Sequence, residues 1–271
     1  MADTRRAGTS SLAPSPVSRE LALVGIGAGD PDWVTLEAAR MIRTLDVLFV
    51  VRKEDGLDDL VEARRVVIAR HREAPLRTVE LKDPPRPWRT ATDYDAAVAR
   101  WRTERLSDWG AAIDAHLVSG QRGGFLVWGD PGLYESTLTI ARDLAEASAA
   151  SDSPITVRVI PGVSSVHALA ARHGIPLNRQ GRSVEITPAR LIREGLPHGV
   201  DDAVVMLDGQ QTFAAIDPTG IDIYWGAYLG TADEILIHGP LDDVRDLIVR
   251  ARAEAAARKG WMFDTYLLRR R

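Results

Sequence analysis

Apolar and polar positions along this chain follow two alternating patterns. Short apolar runs at 21–24, 46–51, 76–81, 123–128 and 155–160 have the form of strands buried on both faces. Between them, apolar residues recur at helical spacing over 36–45, 58–70, 93–117 and 136–147, and again from 165 through 172. On the long helix the set is Trp101, Leu106, Trp109, Ile113 and Leu117, a stripe that predicts core packing. The succession of strand and helix predicts an open α/β sheet, a fold that binds ligands outside the carboxyl ends of its strands.

The segment from Gly174 to Arg179 breaks the rhythm and reads as a linker. Beyond it, strands are expected at 183–187, 203–207, 222–228, 234–238 and 262–268, with helices at 188–195, 211–215 and 241–258. The fold class expected is therefore α/β, with two α/β domains, 20–173 and 180–271. Residues 1–19, rich in Ser, Ala, Pro, Thr and Arg, read as a disordered tail without the apolar region of a secretory signal.

Composition removes several function classes. The chain has 271 residues, 45% of them hydrophobic and 27% charged, which is ordinary for a globular protein with a real core. Its formal net charge of −4 gives no general attraction to nucleic acid. No cysteine is present, which excludes thiolate catalysis, disulfides and cysteine-ligated metals. Histidines 71, 116, 167, 173, 198 and 238 show no metal-ligand spacing, so no metal is expected. No apolar run reaches the ~20 residues needed to span a bilayer, and a cytoplasmic location is expected.

Candidate chemistry gathers where the predicted strands end. Gly25-Ile26-Gly27-Ala28-Gly29-Asp30 follows the first, Gly129-Asp130-Pro131-Gly132-Leu133-Tyr134 the fourth, and Pro161-Gly162-Val163-Ser164-Ser165 the fifth. Such turns expose backbone N–H groups and let a ligand approach the main chain. Taken alone, the first also reads, second, as a tight turn without a ligand, and a dinucleotide fingerprint would place glycine where this chain has Asp30. Asp130 is either a hydrogen-bond acceptor for a ligand or the residue that fixes its turn. Asp30 reads first as a structural turn residue and second as one facing substrate.

Arg52 and Lys53 end the second strand, and Arg86 and Arg89 lie on a proline-rich loop spanning 82–89. Each alone reads as solvated surface; as a cluster they suit an anionic substrate. Ser164 and His167 stand one helical turn apart. The simpler reading is a helix cap and a surface histidine; the alternative is a general base, for which Tyr134 and Asp30 are further candidates.

The three glycine-rich strand ends in this order, with the turn Leu229-Gly230-Thr231, resemble the tetrapyrrole (precorrin and cobalt-precorrin) methyltransferase family over roughly residues 20–268. The runs GDPGLYESTL, RHGIPLNRQGRSVEITPARL and KGWMFDTYLLRR are most similar to its deacetylating branch. The resemblance implies two α/β domains with a cleft between them, usually in a homodimer. It also implies S-adenosyl-L-methionine as methyl donor, held folded in that cleft largely by backbone groups, with S-adenosyl-L-homocysteine as product. The implied reaction is methylation of carbon 1 of precorrin-5, with loss as acetate of the acetyl group left by ring contraction, in cobalamin biosynthesis.

Residue by residue, the likeness implies that the cofactor meets Gly27, Ala28, Gly29, Trp128, Gly129, Asp130, Leu133, Ser164, Ser165, Leu207, Asp208, Gly230 and Thr231. This chain has Ala28 where the family usually has Pro, Ser164-Ser165 where many members have Thr-Ala, and Asp208 where Met is frequent. The anionic tetrapyrrole falls to Arg52, Lys53, Arg86 and Arg89, and no residue is assigned to acetate loss. Three other readings stand beside this one, the plainest being a non-catalytic tetrapyrrole- or nucleotide-binding module. A family member acting at another carbon of a precorrin or uroporphyrinogen differs only in its product. A nucleotide-dependent oxidoreductase would use Gly25 to Gly29 as its phosphate turn and Glu54 or Asp55 for the ribose, about 25 residues on.

Overall fold

A computed structural model describes residues 17–52, 58–84, 93–259 and 262–271. The described chain builds two five-stranded sheets. In the first, β1 (Arg19–Gly25), β2 (Val47–Arg52), β3 (Arg77–Lys82), β4 (Arg122–Val127) and β5 (Ile155–Ile160) lie in the order β3-β2-β4-β1-β5. All four pairings are parallel, and β1 runs between β4 and β5 with Val24 opposite both Leu126 and Ile160.

Both faces of this sheet are covered, which is why its strands read as continuous apolar runs. Leu21 and Leu23 point into a core with Phe49, Phe125 and the α3 (Tyr94–His116) residues Trp109 and Ile113, completed by Ile140 and Leu144 of α4 (Thr137–Ser148). Ala22 and Val24, one step along the pleat, face Met41 and Ile42 of α1 (Leu36–Thr44) and Val67 of α2 (Asp58–His71). The Trp101, Leu106, Trp109, Ile113 and Leu117 stripe lies on the inner face of α3, with Trp101 and Trp109 buried.

The second sheet has the order β6-β7-β10-β8-β9, formed by β6 (Glu185–Pro188), β7 (Asp202–Met206), β8 (Ile221–Ala227), β9 (Ile235–Pro240) and β10 (Asp264–Arg270). Only β6 and β7 pair in parallel; the other three pairings are antiparallel. Helix α6 (Leu241–Lys259) covers β8 and β9, burying Leu241, Ile248 and Ala255 against Phe213, Trp225 and Tyr266. Helix α5 (Ser165–His173) follows β5 in sequence but packs on β8 and β10 of the second sheet, and so joins the two halves.

Three expectations change. The helices expected at 188–195 and 211–215 are single 3-10 turns, Ala189–Leu191 and Thr212–Ala214, each too short for a packed helical face. Arg19, expected in the tail, opens β1 instead, and the Ser18 carbonyl accepts a hydrogen bond from Gly120 N. The segment 174–179 is fastened, because Arg269 donates to the Pro176 and Leu177 carbonyls while Arg179 and Arg269 both pair with buried Asp202.

Candidate functional site

The carboxyl ends of β1, β4 and β5 meet at one point, and glycine makes the meeting possible. Gly27 and Gly129 pair as an antiparallel bridge, with Gly129 N donating to Gly27 O at 2.8 Å and Gly27 N to Gly129 O at 3.2 Å. A side chain on Gly25 would lie 2.5 Å from Gly162 N, and one on Gly162 would overlap the Gly129 carbonyl and lie 2.8 Å from Gly25 C. Asp130 closes the knot: Oδ1 accepts from Gly132 N at 2.7 Å and Oδ2 from Gly162 N at 2.9 Å. Its carboxylate therefore fixes its own turn and ties it to the third one.

The first turn also presses against the second half of the molecule. A Cβ on Gly29 would overlap the Leu229 carbonyl and come within 2.8 Å of Thr231 Cγ2, while one on Gly230 would stand 2.8 Å from Asp30 N. Ala28 is buried beside Leu229 in a cluster with Val166, Leu169, Val204 and Leu267, drawn from both halves. Gly230 N donates to Glu234 Oε2 at 2.8 Å, and Arg172 of α5 donates to Glu234 Oε1 at 2.7 Å, which positions the 229–231 turn. Glu234 leaves no signal in the sequence, since a lone glutamate after a turn carries no motif.

Above this floor, Trp128 stacks on Phe263 with ring centroids 5.9 Å apart, one ring from each half. Leu133 is partly buried against the cluster between the halves. Tyr134, with φ of 51°, donates its hydroxyl to the Ile186 carbonyl at 3.1 Å, and burial raises its pKa above the ordinary phenol value. Leu207, with φ of 58°, is 64% exposed at the end of β7. Among the described residues, three of the four non-glycine residues at positive φ (Tyr134, Leu207 and Tyr228) thus lie at or beside the expected site; such strain concentrates where function constrains the backbone.

Other candidates are placed differently. Asp208 turns inward from Leu207: its carboxylate accepts from Thr212 N at 2.7 Å, Thr212 Oγ1 at 3.0 Å and the Tyr266 hydroxyl at 2.7 Å. Beneath it Arg252 pairs with Asp264, whose pKa burial raises against the opposing pull of Arg252. Asp30 Oδ1 accepts from Asp32 N and caps the 3-10 turn Pro31–Trp33, so the glycine turn does not lead directly into α1. Helix α1 has its own cap, Thr35, whose hydroxyl oxygen accepts from Ala38 N.

Ser164 precedes α5 as its N-cap residue without a side-chain cap bond; its hydroxyl lies 2.9 Å from His167 Nδ1. Ser165 is the first residue of α5. Arg52 closes β2 opposite Lys82 of β3, which sets two basic positions side by side at the sheet's carboxyl edge. Lys53, Arg86 and Arg89 lie outside the described residues, as do Glu54 and Asp55. Among the described residues no group of three or more His, Asp or Glu side chains is arranged to hold a metal ion.

Residues 20–245 match the tetrapyrrole (corrin/porphyrin) methylase family. The chain is 41% identical to the precorrin-6A synthase (deacetylating) of Sinorhizobium sp., with 93% of this chain and 95% of that protein aligned. Among solved structures it is similar to a cobalamin-synthesis-related protein, CobF, from Corynebacterium diphtheriae (TM-score 0.77, 31% identity, 93% of this chain and 99% of that one). The fold also matches uroporphyrin-III C-methyltransferase of Thermus thermophilus complexed with S-adenyl homocysteine (TM-score 0.58, 21% identity, 92% and 91% covered).

Proposed function

We propose, from the premise that this chain belongs to the tetrapyrrole (corrin/porphyrin) methylase family, that it methylates carbon 1 of precorrin-5 and releases acetate to give precorrin-6A. It is an S-adenosylmethionine-dependent C-methyltransferase, and the observation that carries the specific reaction is the 41% identity to a deacetylating precorrin-6A synthase over nearly the whole of both chains. The glycine floor supports the same reading on physical grounds. The cofactor's sulfonium carries an already activated methyl group, so what the protein contributes is placement rather than side-chain chemistry.

The residues present fit that cofactor. Gly27, at φ of 80°, turns the main chain at the carboxyl end of β1 where a ligand approaches, and Gly29 lets that turn seat against the 229–231 turn. The backbone of Gly27, Ala28 and Gly29, together with Trp128, Gly129 and Leu133, would hold the methionine and ribose portions. Exposed Leu207 offers an apolar surface to the adenine, with Gly230 and Thr231 opposite. In this reading Asp130 and Asp208 act from behind by fixing the turns, since their carboxylates are already engaged. Ser164 and Ser165 complete the third side. Arg52, Lys53, Arg86 and Arg89 meet the substrate's carboxylates, and the enzyme works as a homodimer of two-domain subunits.

The oxidoreductase reading loses support from the local structure. A dinucleotide turn opens straight into a helix whose N-terminus meets the pyrophosphate. Here the Asp30-capped 3-10 turn and Thr35 stand between Gly29 and α1. The test is mass spectrometry of the product formed from precorrin-5 and S-adenosylmethionine. One methyl gained with the acetyl group lost is the expected result. A methyl gained with the acetyl retained moves the enzyme to another reaction of the family.

A further inference from the structure

We propose that His167, held by Ser164, is the general base for removal of the substrate's acyl group; the assignment rests on the deacetylating reading above. In a helix begun by serine in extended conformation, the hydroxyl oxygen ordinarily accepts a hydrogen bond from the backbone N–H two or three residues on. Ser164 has that conformation (φ −69°, ψ 159°) and makes no such bond. Its hydroxyl is bonded instead to the imidazole of His167, at 2.9 Å from Nδ1. The helix thus forgoes its side-chain cap in order to orient a ring.

Burial divides the pair into an anchor and a working end. Ser164 is buried to 5% exposure, whereas His167 is exposed. In the tautomer that donates Nδ1–H to the serine oxygen, Nε2 carries the lone pair, and no hydrogen bond engages Nε2 among the described residues. The anchor belongs to the glycine floor, since a Cβ on Gly129 would lie 3.8 Å from Ser164 Cα. The other candidates are more engaged in fixing the backbone, Asp30 through one of its two carboxylate oxygens. Tyr134 donates its hydroxyl to Ile186 O, Asp130 holds two backbone N–H groups, and Asp30 caps a turn.

Acyl removal as acetate consumes one water and needs no oxidant or reductant. Nε2 takes a proton from the water as its oxygen bonds to the acyl carbon. The bond between the acyl carbon and the macrocycle then breaks, and its electron pair passes into the conjugated ring, which uses it to bond a proton from solvent or the electrophilic methyl group at carbon 1. The acid formed ionises to acetate, and His167 returns its proton to solvent. A positioned general base contributes roughly 10²–10⁴-fold to such a step.

The test compares the full-length wild-type chain with His167→Gln, Ser164→Ala and Ser164→Thr, measuring acetate release from precorrin-5 and, separately, S-adenosylhomocysteine affinity by calorimetry. His167→Gln is expected to lower acetate release by about 100-fold or more while leaving that affinity unchanged. Ser164→Ala is expected to lower release less, and Ser164→Thr, which keeps the hydroxyl, to restore it. Undiminished release by His167→Gln overturns the assignment alone. So does a parallel loss of S-adenosylhomocysteine affinity, which would make His167 a binding or folding residue. No acetate from the wild-type chain overturns the deacetylating reading, and this assignment with it.

Discussion

Leu207 holds a left-handed backbone conformation that costs a branched side chain about 1–3 kcal/mol, and it does so while 64% exposed. The turn sends the next residue, Asp208, inward to Thr212 and Tyr266 and leaves the Leu207 side chain presented at the end of β7. Leu207→Gly should raise stability in urea unfolding by up to about 1 kcal/mol, the relief being partly offset by glycine's larger unfolded-state entropy. S-adenosylhomocysteine affinity should fall several-fold in the same variant. A stabilised protein with full affinity would separate Leu207 from the cofactor. The neighbouring glycines give a sharper contrast. Gly162→Ala drives a methyl into the Gly129 carbonyl and should cost at least the upper end of the about 1–3 kcal/mol typical of overpacking. At Gly209 a Cβ meets nothing within 4 Å, and alanine should leave the urea midpoint nearly unmoved. At this scale the sequence made the glycine positions legible, because few residue types tolerate such turns. It did not reveal that Asp208 turns inward to Tyr266 and Thr212, since their partnership spans 58 positions in one case and 4 in the other.

Helix α3 shows what periodicity reveals about an element and what it leaves hidden. Its tryptophan stripe announced the buried face, yet between Trp101 and Trp109 that face also carries Arg105. The guanidinium lies 4.6 Å and 4.2 Å from the two ring centroids, pairs with Asp83 and donates to Ser136 Oγ, the residue before α4. Arg105 and Asp83 side chains are each 5% exposed, so truncating one abandons a buried charge. Arg105→Ala should therefore cost about 3–5 kcal/mol in chemical unfolding. Replacing both partners with apolar residues should cost markedly less, and equal losses would contradict this account of the pair. The long helices were legible because each shows several turns of one pattern. The segments 188–195 and 211–215 have the pattern of helices without being helices, because their apolar residues satisfy one turn of spacing while serving as strand-end loops.

Over the whole molecule, the halves are joined by α5 and by a few polar ties across the site: Tyr134 to Ile186 O, Arg172 to Glu234, and His173 to the Trp225 carbonyl at 3.1 Å. Burial lowers the pKa of His173 from its ordinary 6.5, outweighing the carbonyl bond that favours its charged form. The unfolded chain therefore takes up this proton first. Stability is unaffected well above pH 6.5 and falls as pH drops from there through the lower folded value. His173→Gln should flatten the melting-temperature profile across that window, and an unchanged slope would assign the effect elsewhere. That the chain forms two α/β halves was legible from rhythm alone. Their mode of joining was not, because α5 follows a strand of one sheet and packs on the other. A last consequence concerns synthesis. Strand β1 leaves the ribosome first, yet its neighbours are β4, about a hundred residues later, and β5, later still. The Gly25–Gly129–Gly162 knot therefore cannot close until residue 162 has emerged, so nascent chains stalled earlier should lack the site however much helix they contain. The first strand made is thus enclosed only after the last strand of its sheet appears, and a slow stretch of translation after β5 would favour folding of this enzyme.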